Sequence, residues 1–184
     1  MRNLKLICSS LCLLLTLFVC RMEPAVAGGP VTLTAKFAGT AFASALDLNS
    51  DGILARQFNL PVYDSLPFVA IEGFADTGII ALPGQGICQD PGAIELEPYG
   101  TFVIRGRRDN VIYAVIDSSH HLCYNPFDPN ELLYFNIIGG RGNYEGVSGS
   151  GTAQLFDTVL MATPEGAPQL VDSQGILTVT LSLH

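Results

Sequence analysis

The chain predicts an all-β fold: a small antiparallel β-barrel of about eight strands, closed or nearly so. Three observations carry that expectation. No segment shows sustained apolar recurrence at helical spacing. Runs rich in Val, Ile, Phe and Thr recur instead between clusters of Gly, Pro, Asn and Asp. There are seven or eight such runs in a length that fits one domain with a real core. Hairpin-connected strands in that number make a barrel or a sandwich.

Taken in order, the first element is a leader. Arg2 and Lys5 precede an apolar run from Leu6 to Cys20, and Ala25-Val26-Ala27 follows. A basic start, an apolar centre and an A-x-A site are the parts of a secretory signal peptide, residues 1–27, cleaved before Gly28. As a membrane anchor the run is short: a helix of that length reaches only about 22 Å against a bilayer core near 30 Å. A lipoprotein reading at Cys20 places Val19 where a small residue is usual. Residues 28–184 then form the single domain, with no stable membrane insertion after cleavage. Its candidate strands are Val31–Leu46, Pro67–Asp76, a short Gly78–Leu82, Ile94–Arg107, Val111–Ser119, Leu132–Ile138, Gly149–Val159 and Ile176–Leu183. Leu48–Leu66, Gln85–Gly92 and Met161–Val171 read as loops.

One hairpin can be given a register. Asp109-Asn110 as a two-residue turn pairs Arg108 with Val111, Gly106 with Tyr113, Ile104 with Val115 and Phe102 with Asp117. Paired residues share a face, so Phe102, Ile104, Tyr113, Val115 and Asp117 form one side. Val103, Arg105, Ile112, Ala114 and Ile116 form the other. The first side is expected to face the interior, because Arg105 and Arg107 need water whereas a carboxyl can neutralise by taking up a proton.

The run Gly139-Gly140-Arg141-Gly142-Asn143-Tyr144-Glu145-Gly146-Val147-Ser148-Gly149 is a glycine-studded turn entering a glycine-spaced strand. It resembles the G-G-T-G-x-[FY]-x-G/A-A-x-G segment of allene oxide cyclase-like and dirigent-like barrels, with Arg141 where Thr is usual. Phe37-Ala38-Gly39-Thr40-Ala41 leading into Asp47-Leu48-Asn49-Ser50-Asp51-Gly52 is similar to exported bacterial relatives of that group. The resemblance implies a calycin-like barrel whose lumen holds an apolar substrate, for cyclisation of a fatty-acid epoxide or coupling of phenolic radicals. No catalytic signature residue of either family transfers by position.

Without the leader, six basic residues stand against sixteen acidic ones, a formal charge of −10. Such a surface repels phosphate backbones, so nucleic acid is not expected as a partner. Two cysteines remain, Cys88 and Cys123, and one pair in an exported chain is most simply a disulfide. Closing that loop contributes roughly 3–4 kcal/mol in the chain-entropy model. A reactive thiol or a metal ligand beside His120 and His121 is the alternative. Adjacent strand residues point to opposite faces, which opposes joint chelation by the two histidines. Asp47-x-Asn49-x-Asp51-Gly52 opens like a calcium loop, yet its twelfth position is Phe58 rather than an acid; an Asx-rich turn is the alternative.

The strand carboxylates remain. Glu72 shares a face with Phe74 and Asp76, and Asp117 shares one with Tyr113. Turned inward they meet poor solvent and a raised pKa suited to proton transfer; turned outward they are ordinary surface acids. The expected function is an exported barrel binding a small apolar or phenolic molecule in its lumen, lined by Phe102, Ile104 and Val115, with no cofactor and no metal. An isomerase or cyclase using Asp117, Tyr113 or Glu72 is the second reading, and a structural surface or matrix protein the third. Exported protein is expected to start at Gly28 by Edman sequencing; Met1 retained on it overturns the cleavage site.

Overall fold

The computed structural model describes residues 29–52, 54–65, 67–125, 130–164 and 168–183, with the side chain of Asn130 excepted. The expected leader, 1–27, lies outside the described residues. Nine strands follow one another: β1 (Val31–Ala43), β2 (Arg56–Pro61), β3 (Phe68–Ala81), β4 (Ile94–Gly106), β5 (Val111–Ile116), β6 (Leu122–Tyr124), β7 (Asn130–Arg141), β8 (Ser148–Ala162) and β9 (Pro168–Ser182). One 3-10 turn, Gly142–Tyr144, separates β7 from β8.

The sheet is antiparallel and closes on itself. Its order runs β3-β2-β1-β9-β8-β7-β5-β4, and β3 pairs back onto β4 to complete an eight-strand barrel. The short β6 pairs with the start of β4 (Leu96 with Leu122), on the edge that β5 uses further along, so β5 and β6 occupy one interrupted strand position. Closure leaves each strand one face inside and one outside. The inner face carries Ala35, Phe37, Ile104, Ile112, Phe135, Leu177 and Val179, all nearly inaccessible.

Glycines make that packing fit. Phe135 lies over Gly151 and Phe37 over Gly175; a Cβ added at Gly151 would stand 2.3 Å from the Phe135 ring and 2.4 Å from the Thr178 carbonyl. At Gly142 and Gly146 the requirement is conformational instead, with φ of 71° and 74° in the turn between β7 and β8. The glycine segment is therefore wall construction.

Several expected boundaries move. Leu48–Leu66 contains β2, whose Phe58 and Leu60 alternate inward through polar neighbours. β3 runs unbroken through both segments expected separately, and β8 and β9 extend through most of Met161–Val171 as one long hairpin. Pairing with a neighbour holds polar stretches such as Gln174-Gly175 extended where their own propensity does not.

The β4–β5 register differs from expectation by an odd number of residues, and that exchanges the faces of β5. Gly106 and Asn110 close the hairpin around Arg107–Asp109, and Phe102 pairs with Ala114, Ile104 with Ile112. Arg108 and Asp109 take φ of 58° and 60°, and the Asn110 side chain accepts the Asn143 backbone N–H at 2.8 Å. Asn110 thus anchors the glycine turn rather than forming the hairpin tip. Ile112, Ala114 and Ile116 are buried; Tyr113 and Val115 face outward with Val103 and Arg105. Burying two isoleucines and an alanine outweighs burying Tyr113, Val115 and Asp117.

Cys88 and Cys123 are joined, with Cα atoms 5.5 Å apart, tying the loop after β3 to β6. Gly151→Ala is expected to lower stability by about 1–3 kcal/mol in urea unfolding, the cost of overpacking a filled core. An unchanged midpoint would show that Phe135 has room to move.

Candidate functional site

The inner face is apolar along most of its length, but one end of the barrel brings charge inside. β2 enters there with Arg56, in phase with Phe58 and Leu60, and its register partners Ala43 and Ala75 are small enough to leave space for a guanidinium. β7 enters with Glu131, in phase with Leu133, Phe135 and Ile137. β8 leaves with Asp157, opposite the buried Ser173 of β9. Ser173 donates its hydroxyl to Asp157 at 2.6 Å, and Arg56 stands 3.5 Å from the other Asp157 oxygen.

Burial is the main influence on both acids. It pushes Glu131 up to about 7, reinforced by repulsion from Asp157 and opposed by Arg56. Burial also raises Asp157, while the Ser173 hydroxyl and Arg56 pull it down. Beneath these groups lie the partly buried Phe58, Leu133 and Leu155, and then Phe102, whose ring meets Phe58 at 6.4 Å and Phe135 at 5.0 Å. This end of the interior thus sets two acids and one guanidinium over partly buried apolar side chains. One of the acids can exchange its proton near neutrality.

Of the residues expected from sequence, Phe102 and Ile104 do line the interior. Tyr113 and Val115 do not, which corrects their expected position. Asp117 is also outside: Ser119 donates to it through its backbone (3.1 Å) and hydroxyl (2.6 Å), and Asn136 lies on its other oxygen. Those two Ser119 bonds are the chief reason its pKa is lowered rather than raised. Glu72 is outward as well, held by Arg105 Nε at 2.6 Å. Glu72 and Tyr113 both line an outer cleft of about 560 Å³, with Val103 between them and Phe74 and Ile138 alongside. Asp117 borders a different outer cleft.

The histidines lie in the turn between β5 and β6, outside any strand, and take different partners. His121 Nδ1 bonds Glu95 at 2.7 Å, and His120 stacks on Tyr134 at 4.3 Å beside Asp117. Glu95 is held low by that His121 bond first and the Ile87 backbone N–H second, bracing the disulfide loop. In the Asp47–Gly52 turn the Asp47 carboxylate accepts the backbone N–H groups of Asp51 and Gly52.

Arg56, Glu131 and Asp157 were not anticipated. A signal existed for Glu131 and Asp157, each two residues from an inward leucine (Leu133 and Leu155) on one strand face. Arg56 lay in a segment expected to be loop. Comparison with known proteins adds no relative: no family model matches the chain, and no curated protein matches it.

Glu131 carries a pH signature. Its folded pKa of about 7 lies above the ordinary 4.5, so the folded state holds the proton more tightly. Its contribution to stability is therefore full below pH 4.5 and is lost as pH rises through 7, by up to about 3 kcal/mol. Urea unfolding across that window should show the fall in the parent protein and a flatter curve in Glu131→Gln. Parallel curves for the two proteins would mean that Glu131 titrates normally.

Proposed function

We propose that this chain is an exported barrel that holds one small apolar or phenolic molecule in the mouth of its lumen, its polar end toward Arg56, Glu131 and Asp157. The observation that carries this reading is the convergence of those three groups above Phe58 and Phe102. Ionisable groups drawn into an apolar interior cost stability, and an arrangement that keeps one acid near pH 7 is where binding or proton transfer is expected. The disulfide suits an oxidising compartment. An eight-strand barrel has an interior that side chains fill or that holds one small ligand, and the resemblance to allene oxide cyclase-like and dirigent-like barrels favours the second.

A second reading, an isomerase, is favoured by Glu131 alone. A carboxyl poised near neutrality can take a proton from one carbon of a bound molecule and return it to another, with Arg56 stabilising negative charge that develops between the two steps. The two readings separate on one substitution. Glu131→Gln keeps the size of the group and removes the exchangeable proton, so a carrier retains its ligand and an isomerase loses turnover by 100-fold or more, on the order expected for a lost general base.

Native mass spectrometry of protein from its own source tests the common claim. A co-purified apolar or phenolic molecule is expected, released by Leu133→Trp, which puts an indole beneath Arg56, Glu131 and Asp157. A folded protein that carries no extra mass and takes up no N-phenylnaphthylamine from solution would remove both readings.

A further inference from the structure

Remote from the lumen, the outer wall of β7, β8, β9 and β1 carries a grid of short polar side chains. One row reads Asn136, Ser150, Thr180 and Thr32, each opposite the next across paired strands. The row beside it reads Tyr134, Thr152, Thr178 and Thr34. Alternation produces it: in Thr32-Leu33-Thr34, Ser150-Gly151-Thr152 and Thr178-Val179-Thr180 the middle residue turns inward and the flanking hydroxyls turn out.

The grid is not a featureless wall. Its β7 end sinks into a cleft of about 400 Å³, bordered by Asp117 and His120 from the chain after β5. His120 and Tyr134 stack with ring planes 24° apart, forming an aromatic edge. Asp117 lies 3.4 Å from the Asn136 side-chain nitrogen and 3.2 Å from His120 Nδ1, fixing both at the lip.

We propose that this cleft and the adjoining hydroxyl rows bind a neutral polyhydroxylated chain, an oligosaccharide laid across the strands. The lining selects that chemistry by elimination. No Lys or Arg borders the cleft, and Asp117 repels anions, so phosphate and sulfate groups find no partner. Its carboxylate is already engaged by Ser119, His120 and Asn136, which leaves a cation little to bind. An apolar ligand would strand the hydroxyls that it covers. Hydroxyls and amides both donate and accept, as sugar hydroxyls do, and an aromatic edge suits the C–H face of a sugar ring. Neighbouring strands lie about 4.8 Å apart, so a chain crossing them meets a fresh pair of hydroxyls at each strand.

The test is an amide NMR titration of the whole folded protein with cellohexaose, laminarihexaose, maltohexaose and chitohexaose in turn. At least one is expected to saturate with a dissociation constant on the order of 1 mM or tighter, moving the signals of Thr152, Thr178 and Thr180. Asn136→Ala, and separately Thr178→Val with its unchanged shape, should each weaken that binding about tenfold, the cost of a lost hydrogen bond. Absence of shifts with all the sugars overturns the proposal, as does binding that Thr178→Val leaves unaltered. Shifts confined to Glu131 and its neighbours also overturn it, by assigning the sugar to the lumen instead.

Discussion

Closing eight strands into a ring leaves an interior so narrow that large side chains fit only where a neighbour has none. Phe135 occupies the space over Gly151, and Phe37 that over Gly175. Gly73 likewise leaves its space to Phe102. Strand number and stagger set the radius, and these glycines let the largest side chains fit within it. Where Phe102 and Phe135 meet edge to face, the interior is filled by side chains. Toward the end where β2 begins and β8 runs out the inward Phe58, Leu133 and Leu155 are partly accessible, and Arg56, Glu131 and Asp157 stand beside them.

The same end is unusual in its outer rim. Leu54, Ile79, Leu82, Leu160 and Met161 are each at least half exposed there, on the loops and ribbons that extend past the barrel. A carboxyl drawn in beside Leu133 and Phe135 is held in poor solvent, which is why burial dominates the behaviour of Glu131.

The outer wall obeys a different constraint. Strand alternation that fills the core with Leu33, Val179 and Leu177 necessarily presents the residues between them to water, and here those residues are threonines and serines. A β-branched polar side chain satisfies both strand propensity and solvation. What that explanation leaves over is the recess beside Asp117 and Tyr134, because propensity accounts for a threonine surface but not for a cleft in it.

Sequence by itself determined the class of fold, the cysteine pair and the inward course of Phe102 and Ile104, because period-two alternation and turn residues are local signals. It also marked the glycine segment as structural. Tertiary structure alone decided which side of β5 is inside: the turn's identity was ambiguous at Asp109-Asn110, and an odd shift there exchanges Tyr113 for Ile112. It alone drew Arg56 out of an apparent loop into a strand, since β2 exists by pairing with β1 and β3 rather than by its own composition. Convergence of Arg56, Glu131 and Asp157, on three strands far apart in the chain, depends on barrel closure. No local pattern encodes a distance between residues that only the closed sheet brings together.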